Sequence, residues 1–433
     1  MRTLSLLVAS TVSAGLLSTM ANGVAFARTT SAKPYAGQTI IVDEAPPSPA
    51  LSKQFTQETG IKVKWVQIGW DAEQQLIATS AAAHTYFADV TDVDWSKVGE
   101  YYQTKWFIPL NKYFNVNQLK KDVPQIDEFT VHGQLVGMPN DASFMTTTIN
   151  MKDFQKAGIK QAPKTFAQYN ADLKQLQKKH VSAHPLGIPF AAAEGLSTYW
   201  YETTAALGGT IFGPGFKPLF TNPSSPGYKA MQWMVNAYKT GLVPKAMINA
   251  TDTTEMQTYM ATNKIATIFS DYSANVAGIY NQPSQSKVVG QVEYIPTPGM
   301  KRNVNLGNPD GMGIPVTSKH VGAAIEFLKW FTSTKVQAEM SGLGGYKVII
   351  AMPMRISAMN MLAKQDKNPK DGWSEMIKLF RNIKPVFPKG GPPWYPQFSN
   401  AVYTNLHSAA LGSETVAQAV QAIANTVTQL NNQ

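Results

Sequence analysis

Acidic and aromatic residues recur in this chain just past runs that read as β-strands. Glu44 follows the β-rich run 38–43, and Trp70 with Asp71 follows the alternating run 61–68. Asp92, Asp94 and Trp95 come at the end of the run 88–93, and Asp271 and Tyr272 follow 264–269. Asn308 and Asp310 stand in an Asn-Pro-Asp-Gly sequence, and Trp394 and Tyr395 in a loop stiffened by Pro392, Pro393 and Pro396. Such a mixture suits the noncovalent capture of a small polyhydroxylated molecule. Carboxylates and amides hold hydroxyls through charge-assisted hydrogen bonds worth roughly 1.5–3 kcal/mol each. Flat Trp and Tyr rings cover the apolar C–H faces. Each residue also has a structural use open to it. Asp71 can cap a helix, 308–311 is a ready-made turn, and Trp95 can be core.

Bond-breaking chemistry finds less to work with. The chain contains no G-x-S-x-G and no H-E-x-x-H. His180 and His184 are four apart, but Val181 takes the place a metalloprotease gives to Glu, and Pro185 ends any helix there. Asp92 and Asp94 begin like a calcium loop, yet Lys97 and Gln103 occupy its Gly and Glu positions. The chain has no cysteine, which excludes disulfides, thiolate metal sites and thiol nucleophiles. The expectation is a binding protein with no metal and no cofactor. An Asp92/Asp94 acid–base pair keeps a secreted glycan-acting enzyme as the rival.

The elements that must position these groups read as α/β. A strand at 38–43, a helix at 50–59 closed by Gly60, and a strand at 61–68 imply a parallel βαβ unit. Helices are expected at 74–83 and 97–103. Helical stripes then run through Phe166, Tyr169, Leu173 and Leu176, and through Met231, Met234, Val235 and Tyr238. Two more run from Val321 to Phe331 and from Val416 to Leu430. A strand is expected at 288–295. With 433 residues, 44% of them hydrophobic, the chain can fill more than one core.

The formal charge is +10, but the basic residues are spread out. Their densest cluster, Lys174, Lys178, Lys179 and His180, falls mostly on one helix face, so the charge reads as a surface property and no nucleic acid is expected. At the N-terminus Arg2 precedes an apolar stretch interrupted by Ser, Thr and Gly, and Ala25-Phe26-Ala27 carries the small residues a signal peptidase reads. A leader covering 1–27, cleaved after Ala27, places the mature chain in a periplasm. No Cys at the junction accepts a lipid.

Seven segments resemble, in order, the bacterial extracellular solute-binding proteins of the maltose-binding type. "FTQETGIKVK" at 55–64 is similar to the family's F-x-x-x-T/S-G-I-x-V. "ADVTDVDWSKVGEYYQTKWFIPLNKYF" at 88–114 resembles its acidic strand end and following helix, and "HGQLVGMPNDASFMTTTINMKDFQKAGI" at 132–159, with Asp141, its first crossover between lobes. "APKTFAQYNADLKQLQKK" at 162–179 looks like its P-x-T-W-x-E-L helix start. "NKIATIFSDYSANV" at 263–276 and "GMGIPVTSKHVGAAIEFLKWFTS" at 311–333 look like the second and third crossovers, and "LGSETVAQAVQAIANTV" at 411–427 like the last helix. Thr148 and Asn150 flank Ile149 where the family has Tyr-Asn, which bears on the ligand more than on the fold.

The resemblance implies a two-lobed periplasmic-binding-protein fold of type II, its lobes joined by crossover hinge strands. Residues 28–141 with 270–313 are expected in one lobe and 142–269 with 314–433 in the other. It implies a monomer that binds a sugar or oligosaccharide in the interlobe cleft and delivers it to the membrane permease subunits of an ABC importer. A polyamine, an iron complex, a peptide or an oxoanion is the alternative ligand. The residues expected at the ligand are Glu44, Trp70, Asp71, Asp92, Asp94, Trp95, Asp141, Asp271, Tyr272, Asn308, Asp310, Trp394 and Tyr395.

Overall fold

The first strand forms where Ile40 and Val42 alternate inward and are fully buried. In the computed structural model, which describes residues 33–252, 254–273, 275–300, 306–345, 352–365, 373–381, 383–387 and 389–432, it spans Thr39–Asp43. It pairs in parallel with Lys62–Val66, as the βαβ spacing predicts. The helix between them, Pro49–Thr59, starts with the Ser48 side chain accepting from the Leu51 N–H. It stops at Gly60, whose φ of 75° needs a residue without a side chain to clash. The helical stripes become Phe166–Lys178, Pro226–Lys239, Val321–Phe331 and Val416–Asn431. Thr165 with Gln168 and Thr415 with Gln418 form capping boxes. The expected leader and its Ala27 cleavage point lie outside the described residues. No described helix is long and apolar enough to cross a membrane.

Residues 35–433 form one compact unit whose larger sheets fall into two systems, beside two small two-stranded sheets. The first holds the parallel pair above, bridged from Val42 to Val90, and a three-stranded sheet in the order Thr91–Asp94, Asp310–Gly313, Met138–Pro139. The second is four-stranded, in the order Val292–Ile295, Met145–Asn150, Thr267–Tyr272, Leu186–Gly187. The chain passes from the first to the second between Pro139 and Met145.

Two expectations change. The acidic residues were expected just past the ends of strands, but Thr91–Asp94 and Asp310–Gly313 run antiparallel. Antiparallel register sets Asp94 directly opposite Asp310, so the end of one strand meets the start of the other. The strand expected at 264–269 is Thr267–Tyr272, because pairing with Leu186–Gly187 and Met145–Asn150 begins only there. Asp271 and Tyr272 are therefore strand residues rather than loop residues.

Packing decides which sheet system receives the remaining elements. Val292–Ile295 joins the second sheet, pairing with Met145–Asn150. Val321–Phe331 packs on the first system: Phe327 meets Phe55 edge-on at 5.5 Å and Trp65 at 5.6 Å. Tyr395–Leu411 and Val416–Asn431 return to the second system, against the helices Glu194–Ala206 and Pro226–Lys239. Apolar stripes show that a helix has a buried face but not which sheet receives it.

Candidate functional site

Strand alternation turns Asp92 and Asp94 to one face of their strand and Val93 to the other. Asp92 and Asp94 are buried, and the cross-strand neighbour of Asp94 is Asp310. Asp141 is tied to the same place, since its Oδ1 accepts the Asp310 N–H at 2.9 Å. Glu44, one residue past the first strand, accepts from Asn140 Nδ2 at 2.9 Å, and the Asn140 N–H donates to the Asp310 carbonyl. Two further carboxylates complete the group. Asp43 accepts from the Ile68 N–H at 3.1 Å, and Glu73 accepts from Thr91 Oγ1 at 2.9 Å and the Asp92 N–H at 3.2 Å. Seven acids thus converge at the end of the first sheet system.

Crowding like charges out of water disfavours ionisation. Burial, then the charges of Asp141 and Asp43, pushes Glu44 up to about 7. Burial also raises Asp92 and Asp310 well above the usual carboxylate range, and the charges acting most strongly on both are other members of the group. Glu44, Asp141 and Asp310 nevertheless keep part of their surface in contact with solvent. These side chains are therefore partly exposed yet strongly desolvated.

Residues of the second sheet system come close enough to feel these acids. The Tyr272 hydroxyl donates to Asp252 Oδ2 at 2.8 Å and feels the charges of Asp310 and Asp94. Asp252 fits against the helix Glu194–Ala206 where Gly195 has no side chain in the way. At that helix start Glu194 accepts from the Tyr395 hydroxyl and, at 2.6 Å, from Ser399 Oγ. Burial raises Glu194 to about 7; Asp94 adds to the rise and Lys97 opposes it. The Trp95 ring lies 6.1 Å from Phe387 and 5.7 Å from Tyr395.

The expected site residues therefore divide. Glu44, Asp92, Asp94, Asp141 and Asp310 come together, with Tyr272 facing them. Trp95 and Tyr395 are 6% and 1% exposed, so they are packed inside rather than presented to solvent. Trp394 is half-buried against Phe212, Phe216 and Phe398. Asp271 is turned wholly inward. Its Oδ1 accepts from Asn275 Nδ2 at 2.6 Å and the Tyr272 N–H at 2.9 Å, and its Oδ2 from the Tyr280 hydroxyl at 3.0 Å. Asn308 is 8% exposed, and its Oδ1 has no hydrogen-bond partner. Trp70 and Asp71 open the helix Trp70–Ala82, and their side chains lie outside the described residues.

Sequence reasoning passed over Asp43, Glu73, Asn140, Glu194 and Asp252. Asp43 and Asn140 could have been found beside their neighbours Glu44 and Asp141. Glu73, Glu194 and Asp252 carry no local signal, because only packing brings them in. Two outer hollows, about 610 Å³ around Lys112 and Asn115 and about 470 Å³ around Lys239 and Glu414, contain none of these acids.

Comparison with known proteins sets this geometry in a wider frame. The model of the family described as bacterial extracellular solute-binding protein matches residues 41–338. A curated relative, named a probable amino-acid ABC transporter periplasmic-binding protein of Sinorhizobium fredii, is 24% identical over 391 residues, covering 85% of this chain and 82% of its own. The solved structure of maltose-bound T. maritima MalE3 matches with a TM-score of 0.77 at 19% identity, over 90% of this chain and 99% of that one. An ABC transporter solute-binding protein from Agrobacterium radiobacter K84, in complex with ribitol, matches with a TM-score of 0.77 at 20% identity, over 92% of this chain and all of that one. The fold is the two-lobed α/β fold of these structures.

Proposed function

Because the chain belongs to the bacterial extracellular solute-binding protein family, we propose that it captures a small polyhydroxylated solute, a sugar or polyol, in the acidic groove and hands it to an ABC importer. The observation that carries this reading is the meeting of two walls. Glu44, Asp94, Asp141 and Asp310 come from one sheet system, and Tyr272, Asp252 and Glu194 from the other. A solute lying between them touches both lobes at once. Hydroxyls pair with the carboxylates, and Tyr272 offers a flat face. The names of the matched structures, with maltose and ribitol bound, support this class of solute.

The two lobes follow the two sheet systems in this reading. One gathers residues from 35–139 and 310–331, the other residues from 145–300 and 395–432. With the groove open, its polar groups are hydrated. A solute that contacts both walls binds the closed arrangement better and shifts the population toward it by that difference in affinity. The permease subunits would then recognise the closed shape. The mature protein works as a periplasmic monomer after removal of its leader, and it breaks no bond in its cargo.

Small-angle scattering with and without sugars and polyols tests the reading. Solutes that raise the melting temperature should also lower the radius of gyration. An unchanged radius at saturation, or turnover of the sugar by the purified protein, would contradict it.

A further inference from the structure

The described polar side chains of the groove floor are mostly carboxyls. Asp94 and Asp310 face each other across the strand pair, and the Asp141 carboxylate already holds the Asp310 N–H. The charges that bear most strongly on Glu44, Asp92 and Asp310 are all carboxylates. The amide atoms add a separate observation. Asn140 is 5% exposed, its Nδ2 is held by Glu44 Oε2 at 2.9 Å, and its Oδ1 has no partner. Asn308, two residues before Asp310, also buries an unpartnered Oδ1. An amide oxygen can only accept, and a buried acceptor left unpaired is costly.

Candidate solutes differ in what they offer to such a floor. A sugar hydroxyl brings one donor hydrogen but also two acceptor lone pairs. An ammonium group brings three donors and no acceptor, and its charge offsets the crowded acids. An α-amino acid brings a carboxylate of its own, and the cation that acts on this wall, Lys97, bears on Glu194. Among the described residues no three Asp, Glu or His side chains are spaced to hold a metal ion. We propose that the solute carries a protonated amine beside its hydroxyls, with the ammonium seated among Glu44, Asp94, Asp310 and Asn140 Oδ1. This rests on the groove being the solute site, as proposed above.

Isothermal titration of the mature protein with matched pairs tests it. Glucosamine is set against glucose, and glucamine (1-amino-1-deoxysorbitol) against sorbitol. Near neutral pH at least one amine member should bind about tenfold or more tightly than its neutral partner, and Asp310→Asn should shrink that gap. The inference is overturned if the neutral members bind as well or better. It is equally overturned if no amine member binds at about 1 mM, or if calcium or zinc chloride alone binds in its place. Neutral sugars that bind and compact the protein would leave the capture reading standing while sinking the amine. Solutes that bind without compaction would sink the capture reading itself.

Discussion

Glu44→Gln should make the solute-free protein less stable in acid and more stable in mild base. Glu44 retains its proton up to about 7, against 4.5 for an ordinary glutamate, because burial and the neighbouring Asp141 and Asp43 disfavour its charge. A carboxyl whose folded-state pKa is raised leaves stability intact below about 4.5. Stability then falls as pH rises toward 7, because the unfolded chain releases the proton first. At about 1.4 kcal/mol per pKa unit, the full penalty is about 3 kcal/mol by pH 8. Gln never carries that charge. Its single side-chain oxygen can, however, serve only one of the two donors that Glu44 holds, Asn140 Nδ2 and the Ala45 N–H, and losing the other costs about 1 kcal/mol. The variant should therefore lose about 1 kcal/mol near pH 4.5 and gain about 2 kcal/mol near pH 8. An unfolding entropy of about 2 cal/mol/K per residue over about 400 residues converts the gain to roughly 2–3 °C. Tryptophan-fluorescence melting curves at a series of pH values would show the two proteins crossing. A constant offset, or a crossing in the opposite sense, would refute the crowded-acid picture of the groove.

Other perturbations separate scaffold from site. Asp271→Asn should lower stability by about 1–3 kcal/mol in urea titrations, since Asn275, Tyr272 and Tyr280 all donate to that carboxylate. The same variant should leave the solute Kd within about twofold, because no face of Asp271 reaches the groove. Gly99→Ala should be severe. A methyl there would sit 1.8 Å from the Gly391 carbonyl oxygen, so the helix Val98–Thr104 or the 391–394 loop must shift. A loss of about 3 kcal/mol or more, read by urea titration, is expected, and a neutral substitution would show that the two segments do not pack this closely.

Much of the fold was legible because local rules and tertiary structure agree. Gly60 ends its helix as its place in the sequence predicts, and the stripe from Val321 to Phe331 is a helix over those same residues. The division of the chain was less legible. Phe327 carries no mark that it packs on Phe55 and Trp65, nor does Val292–Ile295 show that it pairs with Met145–Asn150. The acidic cluster was legible in part: Glu44, Asp92 and Asp94 lie at or just past strand ends and Asp310 at a strand start, and all four belong to it. Asp271 is turned away from that cluster, since one step along a pleated strand reverses a side chain, and Tyr272 is the one that feels the acids. Glu194 and Asp252 were invisible because they arrive from distant segments by packing alone.

The proposed lobe closure can be measured directly, because a chain without cysteine accepts labels cleanly. Lys64, on the first sheet system, and Lys229, on a helix of the second, are both exposed. Spin labels on the double variant K64C/K229C report the distance between the lobes by pulsed electron resonance. A solute that binds by calorimetry should shift that distance distribution and narrow it. An identical distribution with and without saturating solute would contradict capture between two moving lobes.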